Sequence, residues 1–546
     1  MRDGALRWLI YATASCLCAQ AMAAEYVMEQ VPLSFAQLQE SGAVIGEVRI
    51  INNDIFDLDD PREDNFLFRL ANKLHIVTRP EVIRQSLLFS SGERLSVQKI
   101  EESERLLRRN RYLYDVEIRP AAYNDGVVDI EVETRDTWSI QPGFQYSRSG
   151  GSNSTALSLK ENNLLGTGTG IGYAKTSDVD RNGNAFTLSH NNLFGSWTNI
   201  DLTLAKYDDG KHQSIDFGRP FYALDTRWAT GVSALHDERI ESVYVNGNII
   251  GQYRHIKDAG EVFGGWSKGL VDGWTRRYSV GLNYLDDTYP GDPALTAPPT
   301  VPQDQTLVSP FVRYEIIEDD FEKVKNRDKI QRAEFLAIGF NATIQVGRAL
   351  TGLGSTRDLW LYSATATRGM HLERGNDLLA AANLSGQYGD GHGERQGLGG
   401  SVRYFVPHYK RAVFYAAASA DTLRNPDVQD FLLLGGENGL RGYPLRYQSG
   451  EHRALLTIEE RVYTDWYPVR LFRVGGAVFY DVGRAWGGPT QNPVNPGWLS
   501  DVGFGLRILN DRAAFGNVLH VDVAFPLNAD PTIKSVQFLV KSYLNF

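Results

Sequence analysis

The stretch VFYDVGRAW, residues 478–486, decides the fold because its side chains alternate in character from one residue to the next. One parity holds the apolar and aromatic side chains Val478, Tyr480, Val482 and Trp486. The other parity holds Phe479, Asp481 and Gly483. Successive side chains of a β-strand point to opposite faces, so this segment is predicted to be a strand with one face suited to lipid. Asp481 is expected on the other face, pointing into an interior where a carboxylate needs a partner.

The same alternation recurs between residues 136 and 546. Segments 138–147 and 519–526 are two-faced in the same way, and turns such as DRNGN and GDGHGERQG separate the segments. Short strands with one apolar face are typical of transmembrane barrels, since a bilayer admits only helices and closed barrels. Residues 136–546 are therefore predicted to form a transmembrane antiparallel β-barrel, and counting the segments indicates about 18–20 strands.

Composition agrees with a chain built mainly from strands and turns. The 546 residues include 11% aromatic residues and 53 glycines. No apolar run after the amino terminus approaches the roughly 20 residues of a membrane helix, so any crossing must use strands. The formal net charge of -10 argues against a nucleic-acid partner.

Residues 1–24 are predicted to be a secretory signal peptide. Arg2 and Arg7 precede a short apolar stretch, and Ala21-Met22-Ala23 has the small residues of a cleavage site. Both cysteines of the chain, Cys16 and Cys18, lie inside this segment. The mature protein is therefore expected to be exported without a disulfide. Residues 25–43 are interpreted as a linker, with room for a short helix.

Residues 44–135 are predicted to form a compact α/β module before the barrel. The pattern reads strand, helix, helix, strand, strand, which places helices on one face of a small sheet. Thr78 and Glu81 have the spacing of a capping box for the first helix. Ser96 is the expected cap of the second.

Three late segments carry a family resemblance. They are LLLGGENGLRGYPLRYQSGEHR (432–453), LLTIEERVY (455–463) and VFYDVGRAW (478–486), and HVDVAFPL and a terminal Phe546 follow them. Taken in order, they resemble the BamA/TamA superfamily of outer-membrane insertases and translocases, also called the bacterial surface antigen family. Residues 44–135 are similar to one POTRA domain, the periplasmic repeat of that family. The resemblance implies a barrel of 16 strands, and Phe546 as the terminal signal for barrel assembly.

The resemblance also implies a site inside the barrel. The loop motif Gly439, Leu440, Arg441, Gly442 and Tyr443 is expected to fold from the outer surface into the lumen. Arg441 is expected to meet Asp481 and an acidic residue on the strand that follows the loop. Glu459 and Glu460 are both candidates, and Glu459 is preferred because it shares the more polar face with Thr457 and Arg461. A guanidinium can bridge two such carboxylates through paired hydrogen bonds.

The function implied is assistance to other proteins, or lipids, at the bacterial outer membrane, with the POTRA domain in the periplasm. Partners would be outer-membrane lipid and unfolded outer-membrane or secreted proteins, which could pair with the POTRA sheet edge or with the barrel seam. Pro142 in the first barrel strand removes one ladder donor at that seam. No enzyme activity, cofactor, metal or nucleic acid is expected.

The sequence is also compatible with two other functions. The barrel could be a plugged or passive pore with a structural role. A surface lipase is a further hypothesis that rests on Ser267, within the G-x-S-x-G match GWSKG at residues 265–269. A nucleophile elbow needs a strand–turn–helix context, whereas this match lies in a strand-like aromatic segment.

Overall fold

The computed structural model describes residues 33–149, 152–178, 181–488, 494–512 and 518–543. Within these ranges the chain forms a three-stranded sheet with helices, followed by a closed barrel of twenty strands. The predicted signal peptide and Phe546 lie outside the described residues. Among the residues described, none of the helices has the length and apolar character needed to cross a membrane.

The secondary structure is dominated by strands. The helices are Phe35–Glu40, Phe66–Leu74, Pro80–Arg84 and Val97–Arg109. In chain order the strands are β1 (Val44–Asn53), β2 (Leu113–Asn124), β3 (Val127–Asp136), β4 (Ile140–Ser149), β5 (Ser152–Glu161), β6 (Gly170–Ser177), β7 (Asn182–Leu193), β8 (Thr198–Tyr207), β9 (Lys211–Arg219), β10 (Trp228–Val245), β11 (Asn248–Val271), β12 (Trp274–Thr288), β13 (Gln305–Glu318), β14 (Phe321–Lys325), β15 (Ala333–Ala337), β16 (Asn341–Ala349), β17 (Leu359–Leu372), β18 (Asn376–Gly389), β19 (His392–Tyr409), β20 (Ala412–Arg424), β21 (Leu432–Leu434), β22 (Gln448–Gly450), β23 (His452–Tyr463), β24 (Phe472–Trp486), β25 (Leu499–Asn510), β26 (Val518–Pro526) and β27 (Gln537–Tyr543).

The amino-terminal module comprises the four helices and strands β1–β3. Its sheet has the order β1-β3-β2, with β1 parallel to β3 and β2 antiparallel to it. Ile83, Ile100 and Ile130 are buried in one core cluster, so the helices cover one face of the sheet. Leu38 belongs to the same cluster, and the packed module therefore begins before residue 44.

One predicted helix start is wrong and another is confirmed. The helix Pro80–Arg84 has Arg79 at its N-cap with no side-chain cap bond. Thr78 is buried instead, and its hydroxyl donates to the Asp136 carboxylate at 3.0 Å. Thr78, which local spacing predicted as a helix cap, therefore bonds a residue distant in the chain instead. Ser96 does cap the helix Val97–Arg109, accepting from the Lys99 amide.

The barrel confirms the predicted fold class and corrects its strand number. β4–β13, β16–β20 and β23–β27 form one closed sheet of twenty strands among the described residues. The expectation of 16 strands is wrong, whereas the upper end of the segment count holds. The motifs behind the smaller number lie at β20–β27, and nothing in them limits how many hairpins the first half of the barrel adds.

The two faces of the strands are as the alternation predicts. On β24, Val478 is 57% exposed on the outside, whereas Asp481 is 1% exposed on the inside. On β26, Asp522 and Ala524 are buried. The outer wall is therefore apolar and the inner wall polar, as a barrel in lipid requires.

The module contacts one end of the barrel, named here the module-facing end. The Arg79 amide donates to the Gly166 carbonyl at 3.0 Å, and the Leu224 amide donates to Glu102 at 2.7 Å. Arg332 donates to the Tyr114 carbonyl at 2.8 Å. Backbone and buried groups from several barrel turns thus hold the module against this end.

The barrel closes through a short seam between its first and last strands. For comparison, the neighbouring strands β26 and β27 pair over seven residue pairs, from Val518↔Tyr543 to Ala524↔Gln537. Between the described residues of β27 and β4, the backbone register comprises the single pair Val540↔Arg148. Pro142 lies in β4 opposite Leu159 of β5. Proline has no amide hydrogen, so β4 has one ladder donor fewer.

Candidate functional site

The long loop between β20 and β23 enters the barrel lumen. Its two short strands, β21 and β22, pair with each other. Leu440 and Tyr443 are fully buried, in a cluster that includes Leu499 and Ala485 of the barrel wall. The loop is therefore packed against the inner wall at the end away from the module.

The Arg441 guanidinium lies between the two carboxylates that the motif predicts as partners. Its Nε and Nη2 donate to the two Asp481 oxygens at 2.7 and 2.9 Å, a bidentate pair. Its Nη1 donates to Glu459 Oε1 at 2.8 Å. The guanidinium carbon also sits 3.4 Å from the centre of the Phe479 ring. Planar guanidinium geometry suits this combination of forked bonding and stacking.

Glu459 and Glu460 occupy different faces of β23. Glu459 is 3% exposed and lies in the lumen. Glu460 instead pairs with His408 at 3.1 Å. The strand period of two thus separates the neighbouring carboxylates, and the structure brings Arg441 to Glu459.

Asp522 and Arg507 complete a charge cluster that the motif did not name. Arg441 Nη1 donates to Asp522 Oδ2 at 3.2 Å, and Arg507 pairs with Asp522 and, at 3.5 Å, with Glu459. Arg461 donates to the second Glu459 oxygen at 2.7 Å. Three guanidinium groups therefore face three carboxylates, which offsets the cost of burying each charge. The alternation of HVDVAFPL already placed Asp522 on the inner face, and this was the available signal.

The residues on either side of Arg441 are shaped by close approach. Gly439 has φ +93°, a conformation that favours glycine. A Cβ at Gly442 would lie 2.7 Å from the Asp501 Cβ, and the Gly442 amide donates to Asp501 at 3.0 Å. The Tyr443 hydroxyl donates to the Ser500 carbonyl at 3.1 Å. Gly442 and Tyr443 are thus tied to the wall formed by β25 and the turn after β26.

The other end of the lumen holds a second inserted segment. Residues 319–340 connect β13 to β16 and contain the hairpin β14–β15. At its tip, Ile330 is fully buried in a cluster with Phe405, Leu509 and Val518 of three barrel strands. This lumen hairpin, residues 319–340, was not predicted, because its tip NRDKIQR (326–332) is charged and polar apart from Ile330. Turns at this end of such barrels are usually short.

Charged contacts fix the lumen hairpin in place. Arg327 donates to the buried Asp377 at 2.6 Å, and Arg473 donates to Gln331 at 2.6 Å. Arg332 reaches the module carbonyls of Leu113 and Tyr114. The lumen hairpin is therefore bonded both to the barrel wall and to the module.

Glu322, His371 and Asp377 form a group at the base of this hairpin. His371 Nδ1 lies 3.0 Å from Glu322 and 2.9 Å from Asp377. The sequence did not suggest this group, because Glu322 lies far along the chain from His371 and Asp377. Arg327 already bonds the other Asp377 oxygen, so the group is accounted for as an ion-pair network between hairpin and wall.

A cavity of about 690 Å³ remains in the lumen. Inward side chains of β9–β13 and β16–β19 line it, among them His212, Asp216 and Gln345. The two inserted segments thus occupy opposite ends of the barrel without filling its whole cross-section.

Ser267 lies within strand β11. Its hydroxyl donates to the Arg276 carbonyl at 2.7 Å and accepts from the Gly269 amide at 2.9 Å. This is a strand-end position, not the strand–turn–helix in which a nucleophile elbow presents its serine.

The sequence matches no protein-family model and no curated protein. The structure is similar to BamA of Haemophilus ducreyi lacking POTRA domains 1–3, with 13% identity over 91% of this chain and 84% of that chain and a TM-score of 0.41. It is also similar to CdiB from Acinetobacter baumannii, with 12% identity, 92% and 74% coverage and a TM-score of 0.42. CdiB from Escherichia coli has 13% identity, 92% and 76% coverage and a TM-score of 0.46. Likenesses at these values carry no residue role or activity over to this chain.

Proposed function

We propose that this protein is an outer-membrane barrel of the insertase and translocase type, which assists the insertion or translocation of other proteins at that membrane. It does so without catalysing a covalent reaction, and its module, which resembles a single POTRA domain, faces the periplasm. The apolar outer wall and the motif loop around Arg441 support membership of this class. The proposal extends to lipid clients, which the same seam would serve.

The observation that carries the proposal is the contrast between seam and lumen. The lumen holds two segments of the chain itself, the loop with Arg441 and the lumen hairpin. The seam, in contrast, holds β27 to β4 through one described backbone pair. Unpaired strand edges are templates for another strand. A client strand would therefore pair at the seam more readily than pass through the lumen.

A disulfide across the seam tests this proposal. The paired positions allow Arg148→Cys with Val540→Cys, in a chain whose Cys16 and Cys18 are replaced by serine. The matched control is Thr203→Cys with Ser214→Cys, a paired position between β8 and β9 away from the seam. Both variants are compared oxidised and reduced, in a strain that depends on the plasmid copy.

We expect oxidation of the seam pair alone to lower the levels of other outer-membrane proteins, and reduction to restore them. Equal activity of the oxidised seam pair and the control would refute it. Ion conductance without any effect on other proteins would instead favour the passive-pore function.

A further inference from the structure

The helix Phe66–Leu74 of the module presents an apolar face that no described residue covers. Its exposed side chains are Phe66 (75%), Leu67 (69%), Leu70 (39%) and Leu74 (59%). At 3.6 residues per turn these four positions fall within an arc of about 100°. Four large apolar side chains on one side of a nine-residue helix are far more than scattered surface hydrophobics.

This face cannot turn inward, because the opposite face of the helix is already fixed. Phe68 stacks on Phe56 with ring centres 3.8 Å apart. The Asn72 amide nitrogen donates to the Phe56 carbonyl at 2.8 Å, and the Phe56 amide donates back to Asn72 at 3.1 Å. Asn65 caps the helix by accepting from the Phe68 amide at 3.0 Å. The exposed side is thus the only one left for a partner, among the residues described.

The helix lies beneath the barrel wall beside the seam. Trp138, just before β4, and Leu471, just before β24, pack against the Phe56–Phe68 cluster. Arg512, after β25, donates to the Ile55 carbonyl at 3.0 Å. The helix therefore sits under strands on both sides of the β27–β4 junction.

Neighbouring parts of the module-facing end expose apolar side chains as well. Trp466 and Val469, in the turn before β24, are 64% and 67% exposed. Ile76 follows the helix at 51%, and Ile140 at the base of β4 is 44% exposed. The apolar face of the helix is thus flanked by apolar residues of the barrel base, next to the outer wall that faces lipid.

We propose that the helix Phe66–Leu74 is an interfacial membrane helix, whose apolar face is buried in the phospholipid leaflet on the module-facing side. The inference rests on the proposed membrane barrel and adds a second attachment, which holds the module against the bilayer beside the seam. An amphipathic helix of this kind lies in the plane of the interface with its polar side toward water. Arg69 and Lys73 lie beyond one edge of the apolar arc and remain exposed, as snorkelling cations do.

The charge nearby indicates which lipid property matters. The segment before the helix carries Asp57, Asp59, Asp60, Glu63 and Asp64 against the single cation Arg62. Arg69 is itself paired with Asp64. Attraction to anionic headgroups is therefore weak, and insertion should depend on apolar burial and be insensitive to salt.

Depth-dependent fluorescence quenching of the full mature chain tests the inference. An environment-sensitive dye is placed at Leu67→Cys, with Glu117→Cys on the exposed side of β2 as the matched control. The chain is folded into phosphatidylcholine vesicles, with and without phosphatidylglycerol, that carry either a lipid-borne quencher or a water-soluble one. Barrel insertion is followed separately by heat-modifiable migration.

We expect the lipid-borne quencher to act about threefold more strongly at residue 67 than at residue 117, equally in both lipid mixtures. Phe66→Asp with Leu74→Asp should abolish this difference, whereas Val127→Asp, an exposed apolar position elsewhere on the module, should not. Water-soluble quenching at residue 67 in a correctly inserted barrel overturns the inference and leaves the proposed function standing. The same holds if an added unfolded barrel protein displaces the lipid quenching, since the face would then be a client site. Failure of the barrel to insert at all overturns both.

Discussion

Arg441 shows how one side chain can hold a loop inside a barrel. Its guanidinium makes a bidentate pair with Asp481 and bonds both Glu459 and Asp522. Charges buried this deeply are tolerated only when each has a partner. Arg441 thus fixes the loop in the lumen because the surrounding strands place three carboxylates within hydrogen-bond distance of it.

Replacing Arg441 is expected to weaken the barrel without removing it. Arg441→Ala leaves Asp481 and Asp522 close together without their shared cation, and should lower the free energy of unfolding by about 3 kcal/mol. Arg441→Lys keeps the charge but loses the forked hydrogen bonds. Its free energy of unfolding should lie between those of the unaltered chain and Arg441→Ala. The measurement is the urea midpoint of the heat-modifiable form in detergent micelles. Arg424→Ala, an exposed arginine at the end of β20, is the control and should change little; equal midpoints for both alanine variants would contradict the role of Arg441.

At the scale of elements, the lumen hairpin 319–340 departs most from expectation. Barrel turns on this side are normally short, but this one inserts Ile330 among Phe405, Leu509 and Val518. Its contacts to Tyr114 and Asp377 connect the position of the module to that of the lumen wall. An element placed in this way restricts the module-facing mouth of the barrel.

Expelling the tip of this hairpin should open the lumen to ions. Ile330→Asp puts a carboxylate into an apolar cluster, which is unfavourable unless the tip leaves. Single-channel conductance in planar bilayers should rise severalfold for this variant. Leu353→Asp, at an exposed position in a turn on the other end, is the control. Unchanged conductance for Ile330→Asp in a folded barrel would show that the hairpin does not limit the opening.

We expect the packing of the lumen hairpin inside the barrel to depend on pH through Glu334. Burial raises the pKa of its carboxyl from 4.5 to about 7, and the nearby Asp328 acts in the same direction. Between pH 4.5 and about 7, Glu334 therefore holds a proton when the hairpin is packed inside the barrel and releases it when the hairpin is solvated. Packing of the hairpin inside the barrel is favoured fully below pH 4.5, and this contribution is lost as the pH rises through about 7.

Hydrogen exchange of the hairpin amides measures this effect. After correction for intrinsic rates, protection of the amides of Arg327 and Asp328 should be higher at pH 6 than at pH 8. Glu334→Gln should remove most of that difference, because the amide side chain does not titrate. Glu373→Gln, at an exposed turn, should leave it in place. Protection that is independent of pH in the unaltered chain would contradict the prediction.

At the scale of the whole molecule, closure of the barrel depends on its last strand. On β27, Phe538 is 53% exposed on the outer face and Leu539 is buried on the inner one. Phe546 has the parity of Phe538, although it lies outside the described residues. We expect removal of Phe546, or Phe546→Asp, to reduce the heat-modifiable barrel in outer-membrane fractions severalfold. Phe194→Asp, at a turn residue that is 91% exposed, serves as the control, and full levels of the truncated chain would exclude a role for Phe546 in assembly.

The sequence predicted the features that depend on neighbouring residues, above all the face of a β-strand on which each side chain lies. The alternation around Asp481 and Glu459 assigned each residue to a face, and the same rule separated Glu459 from Glu460. Ser96 was predicted as a helix cap and is one, because a cap and the backbone amide that it accepts from lie within one turn. In each case the partners are neighbours along the chain or on one strand.

The tertiary structure decided whatever depends on distant partners. Thr78 bonds Asp136 instead of capping its helix, and Arg507 and Asp522 meet around Arg441 only after four strands have aligned. The number of strands is a property of closure, since each added hairpin is locally as regular as the last. In the chain, the tip of the lumen hairpin is a charged stretch apart from Ile330, and the helix Phe66–Leu74 looks like an ordinary short apolar segment. What distinguishes these segments is which of their side chains become buried, and only the packing of the whole barrel against its module determines that.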